Sequence, residues 1–159
     1  MKVLYTGSFD PITVGHLDII NRISPKFDEV VVTVFNNNQK KYWFSIEERC
    51  KMVRQAIAHL HNVTVDFTEG LVVDYCNRNN ISIIVRGLRA VSDYEYELSI
   101  SHINKHLNRN LETIFLVASS EYSFLSSSMV KDVAEHGGVF EDLVPENVAD
   151  EIHKKLGRK

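Results

Sequence analysis

Val30-Val31-Val32-Thr33-Val34-Phe35 is a near-continuous run of β-branched residues ending in an aromatic. A strand with one wet face alternates apolar with polar residues. A run without that alternation marks a strand covered on both faces, the habit of parallel sheets. Upstream, Val3-Leu4-Tyr5 reads as a short buried strand closed by Gly7, and Thr13 is placed to cap a helix with Leu17, Ile20 and Ile23 inside, stopped by Pro25. Downstream, Ser45-Ile46-Glu47-Glu48 has the form of a capping box, and Ile46, Cys50, Val53, Ile57 and Leu60 follow at helical spacing. Val63, Val65 and Phe67 alternate as a third strand, and Leu71 and Tyr75 mark a helix that ends in the polar turn from Asn77 to Asn80. Ile81-Ser82-Ile83-Ile84-Val85 is a fourth strand, Ala90 to Leu107 a long helix, and Thr113-Ile114-Phe115-Leu116-Val117 a fifth strand. A helix after Ser128 ends near Gly137-Gly138, and a last one opens at Pro145 with Val148, Ile152 and Leu156 on one face. Strands alternating with helices predict an α/β protein: a Rossmann-like, doubly wound, parallel five-stranded sheet with helices on both faces. With no internal repeat or linker in the chain, residues 1–159 read as a single domain.

A chain of 159 residues buries roughly two-thirds of its unfolded surface on folding. Its 44% apolar and 25% charged residues are those of a globular protein. A net charge of −3 argues against a general nucleic-acid binder but leaves room for a local basic site. Cys50 and Cys76 fall in helix-like patterns and form no C-x-x-C pair, which fits a reducing compartment and neither a disulfide framework nor a zinc site. The chain starts on the strand-like Lys2-Val3-Leu4-Tyr5, and no apolar run is long enough to span a bilayer, so a cytoplasmic protein without a membrane partner is expected.

In an open parallel sheet, ligands bind outside the carboxyl ends of the strands. Those ends carry Gly7-Ser8-Phe9-Asp10-Pro11 leading to Gly15-His16, then Asn36 to Lys41, Thr68-Glu69-Gly70, Arg86-Gly87-Leu88-Arg89, and Ser119-Ser120-Glu121. A net-acidic chain thus gathers Lys40, Lys41, Arg86 and Arg89 on one edge, which suits an anion with several phosphates. Solvated loops are polar in any protein, but two arginines bracketing Gly-Leu at the end of a buried strand fit that reading poorly. Arg86 there must leave an apolar environment at once. His16 lies in the first helical turn, where the unpaired amides and positive dipole end face the Gly7–Ser8 loop. The dipole disfavours imidazolium, so His16 is expected neutral, donating one N–H to an oxygen. The other six histidines sit at solvated or helix-face positions, and none has metal-binding spacing, so no metal ligand is assigned.

Gly7-Ser8-Phe9-Asp10-Pro11 followed by Thr13-Val14-Gly15-His16 resembles the G-[ST]-F-D-P-x-T-x-G-H signature of the nucleotidylyltransferase superfamily, a form of its HxGH motif. Arg86-Gly87-Leu88-Arg89-Ala90 with Asp93-Tyr94-Glu95-Tyr96-Glu97, together with Ser126-Ser127-Ser128, is similar to the bacterial phosphopantetheine adenylyltransferases, and the match runs from residue 2 to beyond Pro145. The resemblance implies transfer of AMP from ATP to 4′-phosphopantetheine. Dephospho-coenzyme A and pyrophosphate are the products, by direct in-line attack, with Mg2+ carried on the ATP rather than in a dedicated protein site.

It further implies that His16 contacts the α-phosphate in the transition state, with Lys40 and Arg89 neutralising charge. Ser8, Lys40, Val72 and Arg86 would bind the acceptor. Ser8, Phe9, His16, Gly87, Leu88, Arg89, Glu97 and the segment Tyr122-Ser123-Phe124-Leu125-Ser126-Ser127-Ser128 would hold ATP. A homohexamer and feedback inhibition by coenzyme A are implied as well. Glu97 as a solvated carboxylate, the serines as a plain helix cap, and Val72 as core are the structural alternatives. The chain departs from the family at Tyr42-Trp43, where proline often follows the lysine pair, and at Leu125, where isoleucine is usual. Other acceptors in the superfamily are nicotinamide mononucleotide and glycerol phosphate, against which the R-G-L-R block argues. A non-catalytic nucleotide-binding module is the rival from another class. A redox dinucleotide fold is disfavoured because the first turn lacks G-x-G-x-x-G.

Overall fold

The valine-rich run forms strand β2 (Glu29–Asn36), and both of its edges are paired. In the computed structural model, which describes residues 1–158, β2 lies between β1 (Lys2–Gly7) and β3 (Val63–Glu69). On the other side of β1 come β4 (Ile83–Leu88) and β5 (Glu112–Val117), giving the order β3-β2-β1-β4-β5 with every neighbouring pair parallel. This is the expected Rossmann-like α/β fold.

Alternate side chains of the central strands feed two cores. Val3 and Tyr5 of β1 and Val30, Val32 and Val34 of β2 point to one face, where Ile19, Ile20 and Ile23 of helix α1 (Val14–Ile23) and Met52 and Val53 of α2 (Ile46–Ala56) cover them. Val130 and Ala134 of α5 (Ser127–Glu135) and Val148 and Ile152 of α6 (Glu146–Lys155) complete that layer. Leu4 and Val31 point the opposite way, onto Val73, Tyr75 and Cys76 of α3 (Val72–Arg78). The long helix α4 (Val91–Leu107) lies beside α3 and against β4 and β5. Burial on both faces is what an unalternating strand requires.

The caps fall where the sequence places them. Ser45 and Glu48 form the capping box of α2, and Thr13 caps α1. Three expectations need correction. The periodicity through Leu60 overruns α2, which stops at Ala56, although Ile57 stays buried in the turn beyond. Phe67, read as an inward position of the third strand, is 53% exposed because β3 is an edge strand. The fourth strand begins at Ile83 rather than Ile81 and does not end at Val85: pairing of Arg86, Gly87 and Leu88 with Phe115, Leu116 and Val117 carries β4 three residues further. Arg86 therefore does not leave the apolar interior at once. It lies in the strand, half-buried, with its charge met from α4.

Candidate active site

The chain winds from β1 outward to β3 and then crosses back to β4, so the order reverses between β1 and β4. At the carboxyl ends of these two strands a cleft of about 400 Å³ opens. Such a switch point is where an open α/β sheet binds its ligand.

The first loop builds one wall of the cleft. Phe9 takes a left-handed backbone (φ 47°), a conformation that costs a non-glycine residue about 1 kcal/mol or more. Burial of its ring, 2% exposed between Tyr5 and His16, holds it there. Gly7 gives that ring its room, since a Cβ at this position would press within 3.2 Å of the Phe9 Cζ. Thr13 and His16 form a reciprocal cap: the His16 N–H donates to Thr13 Oγ1 at 3.3 Å, and the Thr13 N–H donates to His16 Nδ1 at 3.1 Å. A backbone N–H can only donate, so Nδ1 is the unprotonated nitrogen and Nε2 carries the proton. Burial first, and then the charges of Arg89 and Arg86, pull the His16 pKa from 6.5 to about 3. A neutral imidazole with a fixed N–H donor thus lines the cleft.

The opposite wall carries the two arginines. Arg86 spreads its fork onto Glu97 of α4, Nε at 2.7 Å from Oε2 and Nη2 at 2.5 Å from Oε1, and its Nη1 donates to the Thr6 carbonyl. Burial disfavours the guanidinium charge, but the hydrogen bonds and charge of Glu97 outweigh it and hold the Arg86 pKa above its ordinary value. Arg89 is braced by Asp93 at 3.2 Å and donates from Nη1 to the Leu125 carbonyl at 2.7 Å. Each arginine therefore has a carboxylate that fixes its direction, which preorganises it toward an anion.

The floor is the start of α5. Ser126 caps the helix by accepting from the Met129 N–H at 3.1 Å, and Ser127 Oγ donates to the Pro11 carbonyl at 2.7 Å. The positive end of α5 thus abuts the first loop, suiting phosphate oxygens. Asp10 ties these parts together. Its carboxylate, 3% exposed, accepts from the N–H groups of Trp43 and Phe44 at 2.9 and 3.0 Å and from Lys131 Nζ of α5 at 3.0 Å.

Ser8, Phe9, His16, Arg86, Gly87, Arg89, Glu97, Tyr122, Leu125, Ser126, Ser127 and Ser128 of the expected site line this one cleft. Leu88, Ser123, Phe124, Lys40 and Val72 do not. Phe124 is 60% exposed, Lys40 stands on an exposed loop after β2, and Val72 packs at the edge of the α3 core. Sequence reading missed Asp93 as the brace of Arg89, Asp10 as the tie between loops, and Glu97 as the partner of Arg86. The i,i+4 spacing of Arg89 and Asp93 was the one signal available. Asp10 is visible in sequence only as a motif letter, and Glu97 is expected against ATP rather than against Arg86. Among the described residues no cluster of three or more His, Cys, Asp or Glu is placed to hold a metal ion. Likewise no helix among them is long and apolar enough to cross a membrane.

A sequence model of the cytidylyltransferase-like family matches residues 4–133. The phosphopantetheine adenylyltransferase of Finegoldia magna is 51% identical over 158 residues, 99% of this chain and 98% of that protein. The phosphopantetheine adenylyltransferase of Thermosynechococcus vestitus is 52% identical over 152 residues, 96% of this chain and 90% of that protein. Among solved structures, the Plasmodium falciparum nicotinic acid mononucleotide adenylyltransferase complexed with NaAD superimposes with a TM-score of 0.71 over 96% of this chain and 94% of its own, at 16% identity. That likeness speaks for the fold alone, whereas the near-full-length matches at about half identity speak for descent. On the sequence model, those two relatives and the cleft between β1 and β4, the chain belongs to the cytidylyltransferase-like family, among the phosphopantetheine adenylyltransferases.

Proposed function

We propose that this chain transfers the adenylyl group of ATP to 4′-phosphopantetheine, giving dephospho-coenzyme A and pyrophosphate. The observation that carries the reading is one cleft in which a neutral His16 donor faces two braced arginines across the start of α5. An oxygen of the acceptor phosphate attacks the α-phosphorus of ATP. The bond from that phosphorus to the bridging oxygen breaks, and the electron pair leaves with pyrophosphate. A phosphate monoester is largely dianionic at neutral pH and needs no base to act as nucleophile. That agrees with His16 as donor rather than acceptor of a proton. Cys50 and Cys76 are buried in α2 and α3, away from the cleft, which supports direct attack over a covalent thiol intermediate. His16 Nε2–H and Arg89 meet charge on the α- and β-phosphates, Arg86 takes the acceptor phosphate, and Ser8, the Phe9 amide and the α5 start position both substrates. Lys40 reaches them only if its loop swings over the cleft, and Val72 serves the pantetheine arm from α3.

The site fits Mg2+ carried on the nucleotide. Asp93, Glu97 and Asp10 are already committed to Arg89, Arg86 and Lys131, so phosphate oxygens and water would hold the metal. Bound that way it supplies charge neutralisation on the pyrophosphate side. Coenzyme A carries the pantetheine arm on an adenine nucleotide, so it resembles both substrates and would inhibit by occupying the same cleft. The assembly is a homohexamer, supported by apolar residues on α4 and β5 that the chain itself leaves uncovered. We place the enzyme, one domain over residues 1–159, in the cytoplasm, in keeping with its two free buried thiols.

The deciding experiment is pyrophosphate release with ATP, Mg2+ and each of three acceptors: 4′-phosphopantetheine, nicotinamide mononucleotide and glycerol phosphate. Turnover and dephospho-coenzyme A are expected with the first alone. Binding of ATP with no turnover on any acceptor makes the chain a nucleotide-binding module instead.

A further inference from the structure

Arg49, in the first turns of α2, is the bulkiest fully buried side chain, 1% exposed. Among the described residues no carboxylate pairs with it. Its guanidinium is met instead by neutral acceptors: Nη1 donates to the carbonyls of Ser8 at 2.9 Å and Phe35 at 3.1 Å, and Nη2 to Asn36 Oδ1 at 2.7 Å. The Asn36 amide is turned that way by its other end, since Nδ2 donates to Glu69 Oε1 at 2.8 Å. The same guanidinium lies over the Tyr42 ring, 3.9 Å from its centroid, and Tyr42 Oη accepts from the Asn37 N–H at 2.9 Å. A buried charge is tolerated only when it is well hydrogen-bonded. Here Nη1 and Nη2 meet that requirement while Nε is buried without a partner, and the planar fork joins three separate pieces of chain: the Ser8 loop, the end of β2, and the loop that carries Lys40.

On the acceptor chemistry proposed above, we infer that Arg49 is a positioning residue for the transfer. It anchors the Ser8 loop and both ends of the Lys40 loop, so that Ser8 is held at the cleft and the Lys40 loop closes toward the acceptor phosphate from fixed ends, and it touches neither substrate. Its link to Ser8 lies under a residue that lines the cleft. Its link to Tyr42 clasps the opposite end of the loop from Asn37, so the Lys40 segment is tethered at both ends to one side chain. Lysine offers a point charge on a flexible stem and cannot make these contacts together. The role therefore depends on the shape of the fork and not on charge alone. It also gives Tyr42, one of the residues at which the chain departs from the family, a stated task.

The test compares Arg49→Lys, Arg49→Met, Tyr42→Leu and Asn36→Ala in steady-state kinetics with both substrates, alongside acrylamide quenching of Trp43. Trp43 is the chain's single tryptophan and adjoins Tyr42. Arg49→Lys and Arg49→Met should each raise the acceptor KM by about tenfold while the ATP KM moves by less than about threefold. Tyr42→Leu and Asn36→Ala, which each remove one tether, should shift the acceptor KM the same way by about threefold. Trp43 quenching in the free enzyme should rise about twofold in the Arg49 and Tyr42 variants as the loop loosens. A residue that only holds the fold together would lower Tm and leave KM and Trp43 quenching of the folded protein unchanged. The inference is overturned if folded Arg49→Lys shows both KM values and Trp43 quenching at wild-type levels. Should the Arg49 variants not fold, unchanged acceptor KM and quenching in both Tyr42→Leu and Asn36→Ala overturn it equally. Absence of turnover on 4′-phosphopantetheine by the wild type would count against the proposed acceptor, while Trp43 quenching still reads the tether.

Discussion

His16 shows how a single residue is prepared for its task by its own local structure. The Thr13 N–H occupies Nδ1, so the ring cannot gain a second proton without losing that bond. Burial and the two arginines then act in the same direction, to about 3. If His16 is the transition-state donor proposed above, replacing it with Ala should lower kcat by about 10² to 10³, with ATP affinity largely kept. An unchanged turnover rate would take His16 out of the mechanism. The pKa also makes a prediction about stability. Folded His16 stays neutral down to about 3, whereas the unfolded chain takes up this proton near 6.5. Below 6.5 the unfolded state therefore binds more protons, and stability falls as the pH drops from 6.5 toward 3. Urea midpoints at pH 7 and pH 5 should show a larger acid loss in the wild type than in His16→Gln. Equal losses would mean that His16 titrates normally in the fold. The sequence made the neutral ring legible through its place in the first helical turn. It places Arg86 and Arg89 on the same edge but does not show that their charges, from in and just after β4 some seventy residues along the chain, act on the buried ring.

At the scale of elements, the site rests on β4 running on through Arg86, Gly87 and Leu88. The apolar pattern breaks at Arg86, and a strand read from pattern alone stops there. What carries the strand on is pairing with β5, and what admits a guanidinium is Glu97, offered from α4 at 8% exposure. Both are tertiary facts, whereas the first strand, its glycine turn and the Thr13 cap were local and could be read directly. Removing one member of a largely buried ion pair strands the other, so Glu97→Ala should cost about 3 kcal/mol in urea unfolding. Glu97→Gln keeps the shape and removes the charge that directs Arg86. On the proposed reading, in which Arg86 takes the acceptor phosphate, its acceptor KM should rise by about tenfold with a smaller change for ATP. A rise confined to the ATP KM would instead assign Glu97 directly to the nucleotide.

At the scale of the whole molecule, α4 presents an unusual surface. Tyr96, Ile100, Ile103 and Leu107 recur at spacings of four, three and four, and they are 67%, 36%, 55% and 49% exposed. Ile114 and Val117 of the edge strand β5 are exposed as well, at 41% and 70%. In sequence this stripe is indistinguishable from the inward face of a core helix, which is why the chain could be read as an α/β domain but not as an assembly. Among the residues of α4 whose burial is described, Glu97 is the buried side chain, so the stripe is not what α4 turns inward. Apolar side chains that a chain leaves uncovered along one helix face mark an interface, and a stripe with a near-heptad period fits a second helix of the same kind. On the hexamer that the family resemblance implies, light scattering on the wild type should give six times the mass of one chain at micromolar concentration. Ile103→Glu places a charge in the middle of the stripe without entering the monomer core. It should leave far-UV circular dichroism unchanged and yield species smaller than a hexamer, because an unpaired charge at a closing apolar seam costs several kcal/mol. A wild type that runs as a monomer, or an Ile103→Glu variant that keeps the full mass, would show that α4 is not the surface that joins the copies.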